Sequence, residues 1–397
     1  MIDIIIPVFR GLAQTRRCIE SVLAIPQRVP IEVVVIDDCS PEPEISAYLE
    51  GLARDGRVTL LKNETNRGFV QSVNRGMALH DDRDVILLNS DTEVANDWVD
   101  RLLAATYASP RVATATPFSN NATICSYPFA SGQGRLPGTL GLAELDRVFA
   151  ATNAGRSIDL PTAVGFCMLI RRDCLREVGM FDARRFGRGY GEENDFCMRA
   201  AKAGWRNILA ADVFVFHEGE VSFLDEKLAL SQAANDALIE VHPEYTQKVR
   251  AFIVAEPARE LRGAVDRARL AKGPEEAESV LRERAEEFAT LMARFRELET
   301  FAAKSDAHVL ELLDGLHEAQ GLVAERNHAL EKVAEDRALL EAQREEVSAG
   351  LARAEALAFA RLDELSAIRS YWLWPLYRRL MSWQSHAVPG RSRHQED

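Results

Sequence analysis

Short apolar segments that alternate with helical patterns constrain the fold of this chain more than any other feature. The segments are residues 3–8, 31–36, 57–62 and 85–88. Helical patterns at 12–23, 43–54 and 70–79 separate them. This alternation is typical of βαβ units, and it predicts an α/β domain built on a mostly parallel sheet.

Two of these segments, 31–36 and 85–88, end in carboxylates: Asp37, Asp38 and Asp91. Parallel strands place their carboxyl ends at one edge of the sheet, where open α/β sheets bind ligands, so these aspartates are expected to share that edge. A carboxylate there suits a divalent cation, which in turn suits a diphosphate. The alternative is a strand-to-helix turn in which Asp91 or Asn96 caps the next helix.

Further strands are predicted at 112–117, 162–171 and 206–216. Between the first two lies a stretch, residues 118–140, that is rich in asparagine, glycine and proline. A segment of this length without regular structure inside a compact domain is typical of a mobile substrate loop.

A glycine cluster at 187–191 permits unusual backbone angles. The next residues open a predicted helix, and they are Glu192, Glu193, Asn194 and Asp195. Acidic side chains suit a helix N-terminus, because the helix dipole is positive there.

Length, net charge and cysteine content exclude several classes of protein. With 397 residues the chain has room for one large domain and a further segment. A net charge of -13 argues against a general nucleic-acid binder, which needs a basic face. The six cysteines show no C-x-x-C or zinc spacing, and neither a signal peptide nor a membrane-spanning apolar run is found. Free buried thiols and a cytoplasmic location are therefore expected.

Seven short motifs follow one another along the first half of the chain. They are Ile-Ile-Ile-Pro-Val at 4–8, Val-Val-Val-Ile-Asp-Asp at 33–38, Asn-Arg-Gly-Phe at 66–69, Leu-Leu-Asn-Ser-Asp at 87–91, Gly-Phe at 165–166, Gly-Glu-Glu-Asn-Asp at 191–195, and His217. In this order and spacing they resemble the family 2 glycosyltransferases, which have the GT-A fold, a Rossmann-like sheet flanked by helices. The resemblance covers residues 1–225, which we take as the catalytic domain.

Members of that family transfer a sugar from a nucleotide diphosphate donor to an acceptor hydroxyl, with inversion of the anomeric carbon. The resemblance implies that Asp38 bonds the base of the donor. The positions implied to bind the nucleotide-sugar are Pro7, Val8, Phe9, Asp37, Asp38, Asn66, Gly68, Phe69, Asn74, Asn89 and Ser90.

The resemblance also implies a metal site for Mg²⁺ or Mn²⁺. Asp91 matches the last residue of the family's D-x-D motif, and His217 matches a histidine that joins the metal or diphosphate site in several relatives. Asn89 stands where the first aspartate of the motif is expected. One fewer negative charge should lower the metal affinity and make it depend on the diphosphate's own oxygens. The alternative for His217 is a core-edge histidine bonded to a carbonyl.

Glu193 matches the second residue of the acidic pair that supplies the family's general base. An inverting displacement needs a carboxylate near the acceptor hydroxyl, because the nucleophile loses its proton as it attacks. Glu192 and Asp195 are the fallback candidates. Their alternative roles are helix capping for Glu192 and a salt bridge on the helix for Asp195.

The second half of the chain changes character. Residues 226–272 are expected to form a helical extension and a linker, with breaks at Pro257 and at Gly273-Pro274. Residues 275–369 are predicted to form a coiled coil, because an apolar 3-4 spacing continues from Phe288 to Ile368. A lone helix would leave this stripe in water, so a homo-oligomer is expected.

The tail, residues 370–397, carries aromatic residues such as Trp372 and Trp374 beside Arg378 and Arg379. This composition suits peripheral contact with a bilayer surface. The alternative is a hydrophobic plug that docks on a protein partner. Residues 387–397 are expected to be disordered.

The sequence thus predicts an inverting glycosyltransferase that uses dTDP-rhamnose or a UDP-sugar. The rhamnosyl choice comes from the motif variants at 87–91 and 191–195. The expected acceptor is a hydroxyl of a growing, lipid-linked bacterial surface glycan at the inner face of the plasma membrane. One rival, a nucleotidyltransferase, would need a longer basic glycine loop than Arg10-Gly11 after the first strand. The other is a catalytically weak transferase-like domain that acts as a coiled-coil scaffold.

Overall fold

The computed structural model describes residues 1–129, 135–187, 189–219 and 224–303. Its strands are β1 Ile2–Val8, β2 Ile31–Asp37, β3 Thr59–Lys62, β4 Asp84–Leu88, β5 Thr92–Glu93, β6 Val112–Ser119, β7 Ser157–Leu160, β8 Cys167–Ile170 and β9 Arg206–His217. Its helices are α1 Leu12–Leu23, α2 Pro43–Arg54, α3 Phe69–Met77, α4 Trp98–Tyr107, α5 Leu142–Thr152, α6 Arg172–Val178, α7 Ala183–Phe186, α8 Glu192–Lys202, α9 Leu224–Val241, α10 Tyr245–Ala255, α11 Arg259–Leu270 and α12 Pro274–Ala303. A 3₁₀ turn, Thr123–Cys125, follows β6.

The strands form one sheet in the order β3-β2-β1-β4-β8-β6-β9-β5, with β7 added beside β9. From β3 to β4 every neighbouring pair is parallel, as the alternation of strands and helices predicted. Strand β8 runs antiparallel to β4 and to β6, and β5 and β7 run antiparallel to β9. The sheet is therefore mixed. The predicted α/β class with flanking helices is confirmed, and the parallel arrangement holds for its first half.

Strand β1 shows why helices cover both faces of the sheet. Ile4 and Ile6 belong to one core, together with Trp98 of α4, whereas Ile5 belongs to the other, together with Phe196 of α8. Successive side chains of a strand point to opposite faces. A strand that is apolar at every position therefore needs apolar cover on both sides.

Some boundaries differ from the prediction. A proline commonly ends a strand, but β1 continues through Pro7 to Val8, and Pro7 pairs with Ile36. On its other side the pairing with β4 already stops at Ile5, so no ladder bond there requires an N–H from Pro7. The strand predicted at 162–171 is shorter in the structure, where only β8, Cys167–Ile170, is a strand. Strands β5 and β7 were not predicted, because they are too short to show an alternating pattern.

The compact unit runs from Met1 to Phe288, beyond the domain end predicted at 225. Leu238 of α9 and Leu261 of α11 are buried in its cores, and Val280 of α12 is buried as well. The predicted break at Gly273-Pro274 is a turn between α11 and α12 within this unit.

Helix α12 continues past Phe288 to Ala303. The predicted coiled coil beyond residue 303 and the tail at 370–397 lie outside the described residues. In the part of the chain that the structure describes, no helix is both long and apolar enough to cross a membrane.

Candidate functional site

The predicted aspartates follow strands that share one edge of the sheet. Strands β2 and β4 both run parallel to β1, so Asp37 at the end of β2 and the turn after Leu88 lie at the carboxyl edge. The turn is fixed by Asn89, whose N–H donates to the carbonyl of Phe166 at 2.8 Å. Asp91 is therefore held beyond the end of β4, as the sequence predicted.

Strand β5 brings Asp91 to His217. Thr92 of β5 pairs with His217, the last residue of β9, and the N–H of Glu218 donates to the carbonyl of Asp91 at 3.0 Å. As a result Nε2 of His217 lies 3.4 Å from Oδ1 of Asp91. The two residues implied as metal ligands, 126 positions apart in the chain, are thus neighbours in the fold.

The hydrogen bonds of His217 suit a metal ligand. Its Nδ1 lies 2.7 Å from the carbonyl of Asn121, and because a carbonyl only accepts, Nδ1 carries the proton. With a second proton on Nε2 the ring donates toward the carboxylate of Asp91, and a cation between the two atoms takes the place of that proton. Metal-binding histidines commonly donate their other N–H in this way.

The electrostatics of Asp91 point the same way. Burial would raise the pKa of Asp91, but the hydrogen bond and charge of His217 and nearby backbone N–H groups outweigh it, so the pKa lies below its ordinary value. Adjacent ligands of an octahedral ion lie about 3 Å apart when each bond is about 2.1 Å. The donor atoms of Asp91 and His217 therefore need little movement to hold one cation.

Asn89 and Ser90 complete this turn, and both are half-buried. Within the described ranges, the only bonds of Asn89 run through its backbone, to Phe166, Thr92 and the thiol of Cys18. Its side-chain oxygen is thus available to a cation or a ribose. This agrees with the expectation for an asparagine that stands in place of the first aspartate of the D-x-D motif.

Asp38 binds the chain itself in this structure. Its carboxylate accepts the N–H groups of Arg67 and Gly68 at 2.7 and 2.8 Å and the side-chain amide of Asn63 at 2.7 Å. Gly68 has φ of 80°, a left-handed conformation that favours glycine. Asp38 thereby shapes the loop ahead of α3, and its predicted contact with a base stays a prediction.

Asp37 and Asn74 also make bonds within the chain. Asp37 accepts the N–H of Ser40 and the hydroxyl of Ser46. The amide of Asn74 bonds both backbone groups of Phe181, so it ties α3 to the segment ahead of α7. Asp37 is buried and Asn74 is half-buried, and both side chains are bonded within the chain without a ligand.

The remaining residues implied to bind the nucleotide-sugar surround this edge. Val8 is buried, whereas Pro7, Phe9, Asn66 and Phe69 are half-buried. Their roles toward a nucleotide stay predictions.

The acidic pair opens α8 as predicted. Glu192 is 5% exposed and Glu193 is half-buried, and Oε2 of each has no hydrogen-bond partner among the described residues. Burial raises the pKa of Glu193. Burial and then the charge of Glu193 raise the pKa of Glu192 well above its ordinary value. A desolvated carboxylate with a free oxygen is chemically suited to accept a proton.

The dipeptide Gly165-Phe166 connects the acidic pair to the histidine. A β-carbon at Gly165 would stand 3.8 Å from the carboxyl carbon of Glu193. The ring of Phe166 stacks on His217 at a centroid distance of 5.2 Å and an angle of 16°. The candidate base and the candidate metal ligand therefore flank two consecutive residues.

Asp195, a fallback base, is occupied by an ion-pair cluster. It lies 2.8 Å from Nε of Arg199 and 2.9 Å from Nε2 of His242, and His242 in turn bonds Lys202. Asp195 is 3% exposed. The arrangement matches the alternative of a salt bridge on the helix.

A second group of possible metal ligands lies at the opposite edge of the sheet. Donor atoms of Asp3, Glu32 and His80 lie within 4.8 Å of one another, so they could hold a cation. Arg83, however, bonds both carboxylates, at 3.0 and 2.5 Å. The guanidinium of Arg83 already supplies the positive charge that a cation would bring. The group is therefore an ion-pair cluster at the amino ends of β1 and β2.

Sequence reasoning missed Asn120 and Asn121. Asn121 accepts from the ring of His217, and the side chain of Asn120 bonds the backbone of His217 at 2.7 and 2.8 Å. The sequence showed them only as part of a loop-like stretch, and no spacing linked them to residue 217.

The fold and this edge define an α/β domain with an acidic and histidine-containing site at the carboxyl ends of its parallel strands. Residues 3–179 match the family model described as Glycosyl transferase family 2. The match confirms the resemblance over these residues, which carry a family 2 glycosyltransferase domain.

Two curated proteins are similar to parts of the chain. N-acetylglucosaminyl-diphospho-decaprenol L-rhamnosyltransferase of Mycobacterium tuberculosis (strain ATCC 25618 / H37Rv) is 28% identical over 211 residues, covering 47% of this chain and 66% of the relative. Polypeptide N-acetylgalactosaminyltransferase 4 of Caenorhabditis elegans is 24% identical over 166 residues, covering 40% of this chain and 28% of the relative. The chain thus spans less than two thirds of the length of either relative.

Two solved structures are similar in fold. One is GalNAc-T7 with UDP, GalNAc and Mn²⁺, with a TM-score of 0.46, 19% identity, and coverage of 66% of this chain and 53% of that chain. The other is the mannosyltransferase PcManGT from Pyrobaculum calidifontis in complex with GDP-Man and Mn²⁺, with a TM-score of 0.45, 17% identity, and coverage of 76% and 82%.

Proposed function

We propose that this protein transfers a sugar from a nucleotide diphosphate donor to an acceptor hydroxyl with inversion of the anomeric carbon. One observation carries the proposal. Glu193 and the Asp91–His217 pair flank Gly165-Phe166. A group that accepts a proton and a group suited to a diphosphate therefore lie on either side of one short segment.

Glu193 acts as the general base. It takes the proton of the acceptor hydroxyl while the acceptor oxygen bonds the anomeric carbon and the bond from that carbon to the diphosphate breaks. Burial favours this role, because a raised pKa makes the carboxylate a stronger base at neutral pH. Glu192, whose pKa is raised further, is protonated over a wider pH range and leaves Glu193 to carry the charge.

Asp91 and His217 would hold a divalent cation, with the side chain of Asn89 as a neutral third donor. Such a cation, when bound, neutralises the diphosphate and makes it a better leaving group. With one carboxylate in the turn, the protein's own donors carry little charge, so tight cation binding depends on the donor's phosphate oxygens.

The donor we propose is dTDP-rhamnose, with a UDP-sugar as the alternative. Support comes from the name of the mycobacterial relative, an L-rhamnosyltransferase that acts on a polyprenyl diphosphate-linked sugar. We extend this to a lipid-linked bacterial glycan as the acceptor.

We also propose that the chain forms homo-oligomers through the predicted coiled coil and contacts the cytoplasmic membrane surface through its tail. The apolar stripe predicted to pack in the coil begins in α12, where Phe288 and Leu291 are 40% and 41% exposed. Exposed large apolar side chains in this register suit burial against another helix.

The test is a screen of dTDP-, UDP- and GDP-sugars for donor hydrolysis and for transfer to a polyprenyl diphosphate-linked sugar, with Mg²⁺ or Mn²⁺. The control is Asp91→Asn, which keeps the shape of the side chain and removes its charge. One donor turned over by the wild type and much more slowly by the variant supports the proposal. If no donor binds or reacts, the proposed transferase activity is replaced by the scaffold alternative. The asparagine at position 89, in place of an aspartate, favours that alternative.

A further inference from the structure

The orientation of His217 is set by residues outside its own strand. Asn121 accepts from its ring, and Asn120 bonds its backbone N–H and carbonyl. Both asparagines belong to residues 120–129, which we call the histidine-holding segment. The direction in which Nε2 points therefore depends on where this segment lies.

The segment has little regular structure of its own. It contains the 3₁₀ turn Thr123–Cys125, and Thr123 has φ of 45°, in the left-handed region. The N–H of Ala122 donates to the hydroxyl of Ser126, and the N–H of Tyr127 donates to the carbonyl of Ser119. A turn held by few internal bonds needs external support to keep one conformation.

That support comes from two helices beyond the matched family region. Arg262 of α11 donates from Nε to the carbonyl of Ser126 at 2.8 Å and from Nη2 to the carbonyl of Ile124 at 3.1 Å. Arg284 of α12 donates to the carbonyl of Pro128 at 2.6 Å. The two arginines thus bond alternate carbonyls along the segment.

Both guanidinium groups are buried, each residue being 8% exposed. Arg284 is neutralised by Asp266, which also accepts the hydroxyl of Tyr127. Among the described residues, Arg262 has one ion-pair partner, Glu256, at 3.3 Å. Its remaining bonds go to the segment, and the flat fork of a guanidinium can bind two carbonyls at fixed angles, which a lysine cannot.

We propose that Arg262 is a positioning residue for the cation and diphosphate site. By fixing the carbonyls of Ile124 and Ser126 it holds the histidine-holding segment, and through Asn121 it keeps Nε2 of His217 directed at Asp91. The inference rests on the proposed function, in which Asp91 and His217 hold the cation. It makes α11 part of the active-site framework.

The test compares Arg262→Met with a matched control, Arg172→Met. Arg172 is also buried, at 5% exposed, and it also bonds two backbone carbonyls, those of Arg83, just ahead of β4, and of Met77, the last residue of α3. Both variants lose a buried guanidinium that supports the backbone. Only Arg262 is connected to His217.

The readout is the affinity for Mn²⁺, with and without UDP or dTDP, measured as free Mn²⁺ by electron paramagnetic resonance, beside thermal unfolding of each variant. Loss of an outer partner of a metal ligand typically weakens the metal by about 10–100-fold. We expect about tenfold weaker Mn²⁺ binding for Arg262→Met and unchanged binding for Arg172→Met. In a His217→Ala background, Arg262→Met should cause no further loss.

Three results would separate the possible failures. Unchanged Mn²⁺ binding by His217→Ala removes the proposed metal ligand and with it the proposed function. Weaker binding by His217→Ala but not by Arg262→Met overturns the positioning role alone. Equal weakening by Arg172→Met assigns the effect to general destabilisation and also overturns it. If Arg262→Met does not fold, Arg262→Lys, which keeps the charge without the fork, is measured with the same expectations.

Discussion

Replacing Glu193 by glutamine should lower activity and raise stability together. The amide keeps the shape of the side chain but cannot take a proton from the acceptor, and loss of a general base costs about 10²–10⁴-fold in rate. The carboxylate it replaces is desolvated, and one of its oxygens has no hydrogen-bond partner among the described residues. Such a group destabilises a fold by about 1–3 kcal/mol. The entropy of unfolding is about 2.1 cal/mol/K per residue over the unit Met1–Phe288. Removing this destabilisation therefore corresponds to a rise in melting temperature of about 2–5 °C.

The stability gain should depend on pH with a definite sign. The pKa of Glu193 is raised above its ordinary value of 4.5, so the folded state binds this proton more tightly than the unfolded state. Wild-type stability therefore falls as pH rises from 4.5 through the raised pKa, and the variant escapes that loss. The gain should be smaller at pH 5 than at pH 8. The wild-type rate should rise over the same range as Glu193 loses its proton.

The assay is donor turnover with Mn²⁺ beside calorimetric unfolding at both pH values. Glu192→Gln is the matched control, because Glu192 is the neighbouring carboxyl group and it too has an oxygen without a partner among the described residues. It should gain stability and keep most of its turnover. Unchanged turnover in Glu193→Gln would refute the base assignment. An unchanged or lower melting temperature at pH 8 would refute the account of a desolvated carboxylate.

Three further results follow from the same structure. Asn89→Asp should tighten Mn²⁺ binding about tenfold without nucleotide, because affinity rises with the number of charged ligands. Equal Mn²⁺ affinity of the variant and the wild type in a titration would mean that this side chain does not face the cation. Asp195→Asn should destabilise the fold by about 3 kcal/mol in urea unfolding, because Arg199 and His242 lose their partner. Turnover lost without that destabilisation would make Asp195 the base. A chain ending at residue 303 should be monomeric by light scattering and should leave the membrane fraction. An unchanged oligomeric state would contradict the coiled coil. Unchanged partitioning between membrane and supernatant would contradict the membrane contact of the tail.

Strand ends were readable from the sequence where the polypeptide changes abruptly from apolar to acidic residues. Asp37 and Asp91 were placed correctly at the carboxyl edge, because an apolar strand buried on both faces must stop where charge begins. Strand β8 was harder, because an antiparallel insertion between β4 and β6 has the same local composition as a parallel strand. Its direction is set by pairing with distant strands.

Local sequence also left several polar roles undecided. Asp195 and Glu193 lie two residues apart on one helix, yet one faces His242 and Arg199 while the other lies beside Gly165. A helix turns 100° per residue, so neighbouring acidic side chains enter different surroundings. Only the elements packed around α8 distinguish an ion-pair partner from a candidate base.

By itself, then, the sequence determined the α/β class and the edge at which Asp91 lies, because strand and helix periodicities and charged strand ends are local properties. Its resemblance to the family 2 glycosyltransferases implied Glu193 and His217 as further candidates. The tertiary structure decided which candidates meet. Strand β5 joins Asp91 to His217, Gly165-Phe166 connects them to Glu193, and Arg262 supports the segment that orients His217. These contacts join residues far apart in the chain, and no local pattern encodes them, because each arises from the packing of elements that have already formed.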